Sequence, residues 1–152
     1  MTGPDQLRQT VHLLDVPVRD FVQLQVYFDD MIREMQLIAV GVGDRGAAAR
    51  LADLAVYVQH DIAGHRNVLH AEVLAAQDRG LVTVDLSIDL LPSSVPDAER
   101  LVEVAEALDA QSRSGLLLTA PASPVVLDVL RWIVDEVDGQ LIDQRAPRPY
   151  AP

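Results

Sequence analysis

Gly41-Val42-Gly43-Asp44-Arg45-Gly46 spells G-x-G-x-x-G, a turn that lets backbone N–H groups approach the pyrophosphate of a dinucleotide. That chemistry requires Leu37 to Val40 to be a strand feeding the glycines. Those residues instead continue a helical stripe that begins at Phe21, so 37–40 read as helix and the glycines as a plain connector. His60, His65 and His70 recur every five residues, which spreads them around a helix and does not converge them on a metal. Asp61, His65 and Glu72 would share one face of a helix that survived Gly64, and two carboxylates with an imidazole could hold a divalent ion. No second histidine joins that face, and acidic surface helices present such triples by chance. Asp29-Asp30 and Asp135-Glu136 are adjacent in sequence, so each pair points to different sides of its helix. Ser123 lies before Pro124 and is placed to cap a helix, not to act as a nucleophile.

Lysine and cysteine are both absent, and all twelve basic residues are arginine. Without an amine there is no Schiff base and no Walker-type phosphate lysine. Without a thiol there are no disulfides, thiolate nucleophiles or cysteine metal sites. The expectation is a non-enzymatic protein with no catalytic residue, no metal ligand and no cofactor, one that neither binds nor hydrolyses ATP.

The elements that would position these groups are legible from periodicity. Val11 to Val16 reads as a strand ended by Pro17, and Val18 to Val40 as a helix burying Phe21, Leu24, Phe28, Met31, Met35 and Ile38. Asp29 precedes Arg33 by four residues, the favourable direction for a helical ion pair. A second helical pattern starts at Ala47, with Leu51, Leu54, Ala55, Val58 and Ile62 on one side. A third runs from Val68 to Arg79 and is closed by Gly80. Val82 to Leu90 alternates as a half-buried strand, with Asp85, Ser87 and Asp89 toward solvent. After a turn at Pro92 to Pro96, Ser94 and Asp97 resemble a capping arrangement for a helix ending near Arg113, with Leu101, Val102, Ala105 and Leu108 on its apolar face. Gly115 closes it, and Leu116 to Thr119 reads as a short buried strand. Ser123-Pro124 opens a last helix to about Ile142 that buries Val126, Leu130, Ile133, Val137 and Leu141. The predicted fold is α+β, a small sheet of about three strands with four or five helices packed mainly on one face. It forms one domain over 1–152, with 1–9 and 143–152 flexible or extended.

Apolar residues make up 49% of the 152-residue chain, enough for a core, and aromatics only 4%, so that core is built from Leu, Val, Ile and Ala. No apolar run approaches the ~20 residues that span a bilayer, and Met1 to Thr10 lacks the layout of a secretory signal. A cytoplasmic location and no membrane partner are expected. A net charge of −11 argues against binding nucleic acid and favours a protein partner with a basic patch. Val22, Val26 and Tyr27 lie beside the main stripe of the first helix and widen its apolar face. Arg131-Trp132 has two readings. In the plainer one Trp132 anchors the last helix in the core and Arg131 pairs with Asp128 or Asp135. In the other the pair faces a partner, since Arg and Trp are enriched at interfaces. These five residues are the expected interaction sites, and a homodimer is the default assembly.

Several stretches resemble a family of uncharacterised actinobacterial regulatory proteins. They are Leu13-Leu14-Asp15-Val16-Pro17-Val18-Arg19, Phe28 to Glu34, Val84-Asp85-Leu86 with Pro92, Gly115 to Leu118, Arg131-Trp132 with Glu136 and Gln140, and Pro147-Arg148-Pro149-Tyr150. Members of that family accompany anti-sigma kinases, their STAS-domain antagonists and the matching phosphatases. The resemblance implies a part in partner-switching control of transcription, in sigma-factor or stress signalling, and supplies no catalytic residue. Ile133 and Ser112 depart from the family, which has an aromatic after Arg-Trp and often a cysteine late in the third helix. The opening strand and two helices are also similar to the start of the GHKL-type ATPase fold. That fold binds ATP through an Asn on its second long helix and a later Asp-x-Gly motif; Asn67 lacks the acidic neighbour and no Asp-x-Gly is read after it, which implies that the ATP site has been lost. A small-molecule or nucleotide-sensing domain is the alternative function. A metal-dependent enzyme using Asp61, His65 and Glu72 is a further one.

Overall fold

Val11, Leu13 and Val16 cannot all face one side of an unbroken strand, because a step of three residues turns the side chain over. In the structure, a computed structural model that describes residues 7–41, 63–115 and 120–152, a bulge reconciles them. Strand β1 (Gln9–Pro17) pairs antiparallel with β2 (Thr83–Leu90), with Leu13 opposite Leu86 and Val16 opposite Val84, so β1 carries one extra residue. Asp15 turns the chain at φ +54°, and its N–H donates to Asp85 Oδ1 at 2.9 Å. All three apolar residues end up fully buried. The opposite face of the sheet carries Thr10, His12, Asp85, Ser87 and Asp89, all exposed.

Helix α1 (Val18–Gly41) follows Pro17 directly and buries Phe21, Leu24, Phe28 and Met31 of the predicted stripe, whose Met35 and Ile38 side chains lie outside what the structure describes. Residues 37–40 are helical, as their periodicity requires. Helix α2 (Ala63–Asp78) begins ahead of Val68 and contains Gly64; Gly80, at φ +72°, closes it. A short 3-10 turn (Pro92–Ser94) leads into α3 (Val95–Arg113). Ser94 does sit at the N-cap, but the turn before it holds Ser94 in helical φ/ψ, and its side chain makes no capping bond. Burial on α3 centres on Val104, Ala105 and Leu108, with Leu101 and Val102 only partly covered. Ser123 caps α4 (Pro124–Leu141) as predicted, its hydroxyl accepting from the Val126 N–H at 3.4 Å.

The mixed α+β class is as expected. The sheet has two strands among the described residues, one fewer than the sequence pattern predicts. The third, at 116–119, lies outside the described residues, as do the glycine connector beyond Gly41 and the helical pattern at 47–62. The Asp29–Arg33 pair is also corrected. Arg33 reaches Asp30 at 3.3 Å, while Asp29 holds Arg66 of α2 at 2.6 Å. A contact between helices therefore replaces one along a helix.

The apolar side chains gather into two clusters. One joins α1 from Leu24 onward to α3 and the first half of α4. The other joins the sheet to the first turn of α1, to α2 and to the end of α4. Tyr27 belongs to the first cluster and is only 7% exposed, its ring tilted against Phe28. Burial, and then the charge of Asp109, push its phenol above the ordinary 10.0, against a smaller opposite pull from Arg113. Below pH 10 the phenol is neutral in both folded and unfolded chains. Above it the unfolded chain ionises first, so stability falls as pH rises. Denaturant midpoints compared below and above pH 10 should show this loss, and Tyr27→Phe should reduce it.

Candidate functional site

The five residues expected at an interface separate in the structure. Val26 is 53% exposed. Val22 is half-buried against the sheet-side cluster, and Tyr27 is core. Trp132 is half-buried and stacks edge-on against Tyr150, with ring centroids 5.2 Å apart. Arg131 is exposed and pairs with Glu106 of α3 at 2.8 Å and with Asp128 at 3.0 Å. The packed reading of the Arg-Trp pair therefore holds in part, with Asp128 as one partner and Asp135 engaged elsewhere.

Asp135 and Glu136 organise the C-terminal tail. Glu136 has no exposed surface, and its carboxylate accepts from Gln140 Nε2 at 2.9 Å, Arg145 Nη2 at 2.9 Å, Arg148 N–H at 3.0 Å and Arg148 Nε at 3.3 Å. Asp135 binds both arginines from outside. Gly139 leaves the space that the Arg145 guanidinium crosses; a Cβ there would collide with it. Gln140 in turn donates to the His12 carbonyl at 2.8 Å and accepts its N–H at 2.9 Å, which covers the outer edge of β1. The Tyr150 N–H completes the clasp on the Leu14 carbonyl at 3.0 Å, beside the bulge. The tail is extended, as predicted, but fastened along its length. Periodicity did not point to this network. The signal available was a Glu and a Gln four residues apart beside the apolar stripe of α4.

Between the two clusters lies a cavity of about 150 Å³. Phe21, Leu69 and Val137 wall it from the sheet side, and Leu24, Phe28 and Leu130 from the other. Its polar lining includes His65, Arg66, Ser94 and Asp97, the partly or fully exposed members that mark its open side. Arg66 donates from Nη2 to Asp29, but Nη1 is buried with no acceptor.

Of the metal face expected from Asp61, His65 and Glu72, one member falls outside the described residues. His65 and Glu72 lie on α2, Asp61 is outside the described residues, and no three His, Cys, Asp or Glu among the described residues could hold a metal ion. The reading that no Asp-x-Gly follows Asn67 is corrected, since Asp78-Arg79-Gly80 spells that motif. It is the end of α2 and its left-handed glycine cap. No helix among the described residues is long and apolar enough to cross a membrane. No family model, curated protein or solved structure matches the chain.

Proposed function

We propose that this chain is a non-enzymatic regulatory protein that works by protein association, and that it pairs with a second copy of itself through the exposed face of α1. One observation carries the reading. Val26, Asp30, Arg33 and Leu37 follow one another at helical spacing, with Val26 53% and Leu37 67% exposed at the two ends. Asp30 and Arg33 pair with each other between them, so the strip is electrically neutral. A chain carrying −11 repels its own copy, and a neutral strip with apolar ends suits self-contact better than the acidic surface around it. The resemblance of its motifs supports placing that association in partner-switching control of a bacterial sigma-factor or stress response.

Val26→Asp together with Leu37→Asp should abolish self-association in size-exclusion chromatography with light scattering. The melting temperature should stay near wild type, because exposed substitutions cost within about 0.5 kcal/mol. Val125→Asp, exposed on α4, is the control and should leave association intact. An unchanged elution profile for the double variant would overturn the reading.

A further inference from the structure

We infer that the two copies pair with their α1 helices antiparallel, about a two-fold axis midway between Asp30 and Arg33, and that these two residues exchange partners across it. The inference rests on the self-association proposed for this face and adds its geometry. Val26, Asp30, Arg33 and Leu37 are spaced by four, three and four residues, a series that reads the same in both directions. An antiparallel copy centred on it sets Val26 against Leu37 and Asp30 against Arg33. Each pairing occurs twice, as a contact between identical patches requires.

Other arrangements of the same strip fail on charge. A parallel copy sets Asp30 on Asp30 and Arg33 on Arg33, both pairs of like sign. Sliding an antiparallel copy by one turn sets Asp30 on Val26 or on Leu37, an unmatched charge against an apolar side chain. The centred pair has neither fault. Its ion pairs are also free to form. Asp30 and Arg33 lie 3.3 Å apart within one chain, with side chains 46% and 71% exposed. Such an exposed pair contributes little, so its members can turn to the opposite charges of the partner copy with little loss. The neighbouring carboxylate, Asp29, is held by Arg66 at 2.6 Å and stays with its own chain. The exposed apolar ends, Val26 and Leu37, supply the burial.

The chain has no cysteine, so single introduced cysteines report the register directly. A mixture of Val26→Cys and Leu37→Cys chains should form the mixed disulfide under mild oxidation. Neither variant alone should cross-link to itself. Position 26 and its copy would be offset by about 16 Å along the helices at 1.5 Å per residue, beyond the ~7 Å Cα reach of a disulfide. Asp30→Arg should weaken self-association at least tenfold in sedimentation equilibrium, although it lowers the net negative charge of the chain. Arg33→Asp should do the same, and combining both changes in one chain should restore wild-type association. Wild-type association of Asp30→Arg, a double variant as weak as either single one, self-cross-linking of Val26→Cys or absence of the mixed disulfide would each overturn the antiparallel geometry while self-association stands. A monomeric wild type would overturn both.

Discussion

Glu136→Ala will destabilise the fold by about 3 kcal/mol and release the C-terminal tail. The carboxylate is wholly buried and serves four donors, three of them from Arg145 and Arg148. Removing one side of a buried ion pair costs about 3–5 kcal/mol when the other charge stays trapped. Here Arg148 is more than half exposed and Arg145 partly so, and both can turn to water, which sets the effect at the lower end. Two readouts separate release of the tail from general weakening. Trypsin should cut after Arg145 in the variant and spare wild type under native conditions. Trp132, the chain's only tryptophan, should change its fluorescence as Tyr150 leaves its ring. Glu136→Gln keeps the shape and some acceptor capacity, so it should fall between the two. Wild-type stability and an uncut tail in Glu136→Ala would show that the clasp holds nothing.

Tyr27→Asp will leave no cooperatively folded protein. Read from the sequence, Tyr27 lies at the edge of a widened apolar face, where an aspartate would be a mild surface probe. In the structure the ring fills the cluster of α1, α3 and α4. Truncating a buried aromatic costs about 3–5 kcal/mol. A carboxylate in its place is desolvated and faces the negative charge of Asp109, which adds several more. The sum rivals the whole stability of a typical domain, about 5–15 kcal/mol. Tyr27→Phe is the counterpart. The Tyr27 hydroxyl is buried with no hydrogen-bond partner, so its removal should be neutral or stabilise by about 1 kcal/mol. Circular dichroism melts of both variants decide the matter. A folded Tyr27→Asp with a wild-type melt would return Tyr27 to the surface.

These two residues show where the sequence was readable and where it was not. Periodicity located α1, α4 and β2 because each carries an unbroken repeat of apolar positions, while Gly80 marks the end of α2 by its left-handed backbone and Ser123 the start of α4 by its capping hydroxyl. The pattern does not say how wide the buried arc of a helix will be. Tyr27 sits beside the stripe, and whether it is covered depends on α3 and α4 arriving over it, which is a long-range fact. Asp29 failed for the same reason: Arg66 comes from another helix and outcompetes Arg33 four residues away. The bulge at Asp15 was implicit in the two-then-three spacing of Val11, Leu13 and Val16. Glu136 and Gln140 were visible as polar residues beside an apolar stripe, yet their partners lie on β1 and the tail. The cavity had no local signal, since it arises between clusters whose members belong to every packed element.

Sedimentation equilibrium of the wild-type chain over a concentration and salt series tests the central claim most directly. Self-association through a neutral strip on an acidic chain predicts a mass that rises toward twice the monomer with concentration. It also predicts tighter association as salt screens the repulsion between copies. A monomer mass at every concentration, or a dimer that loosens as salt is added, would contradict it.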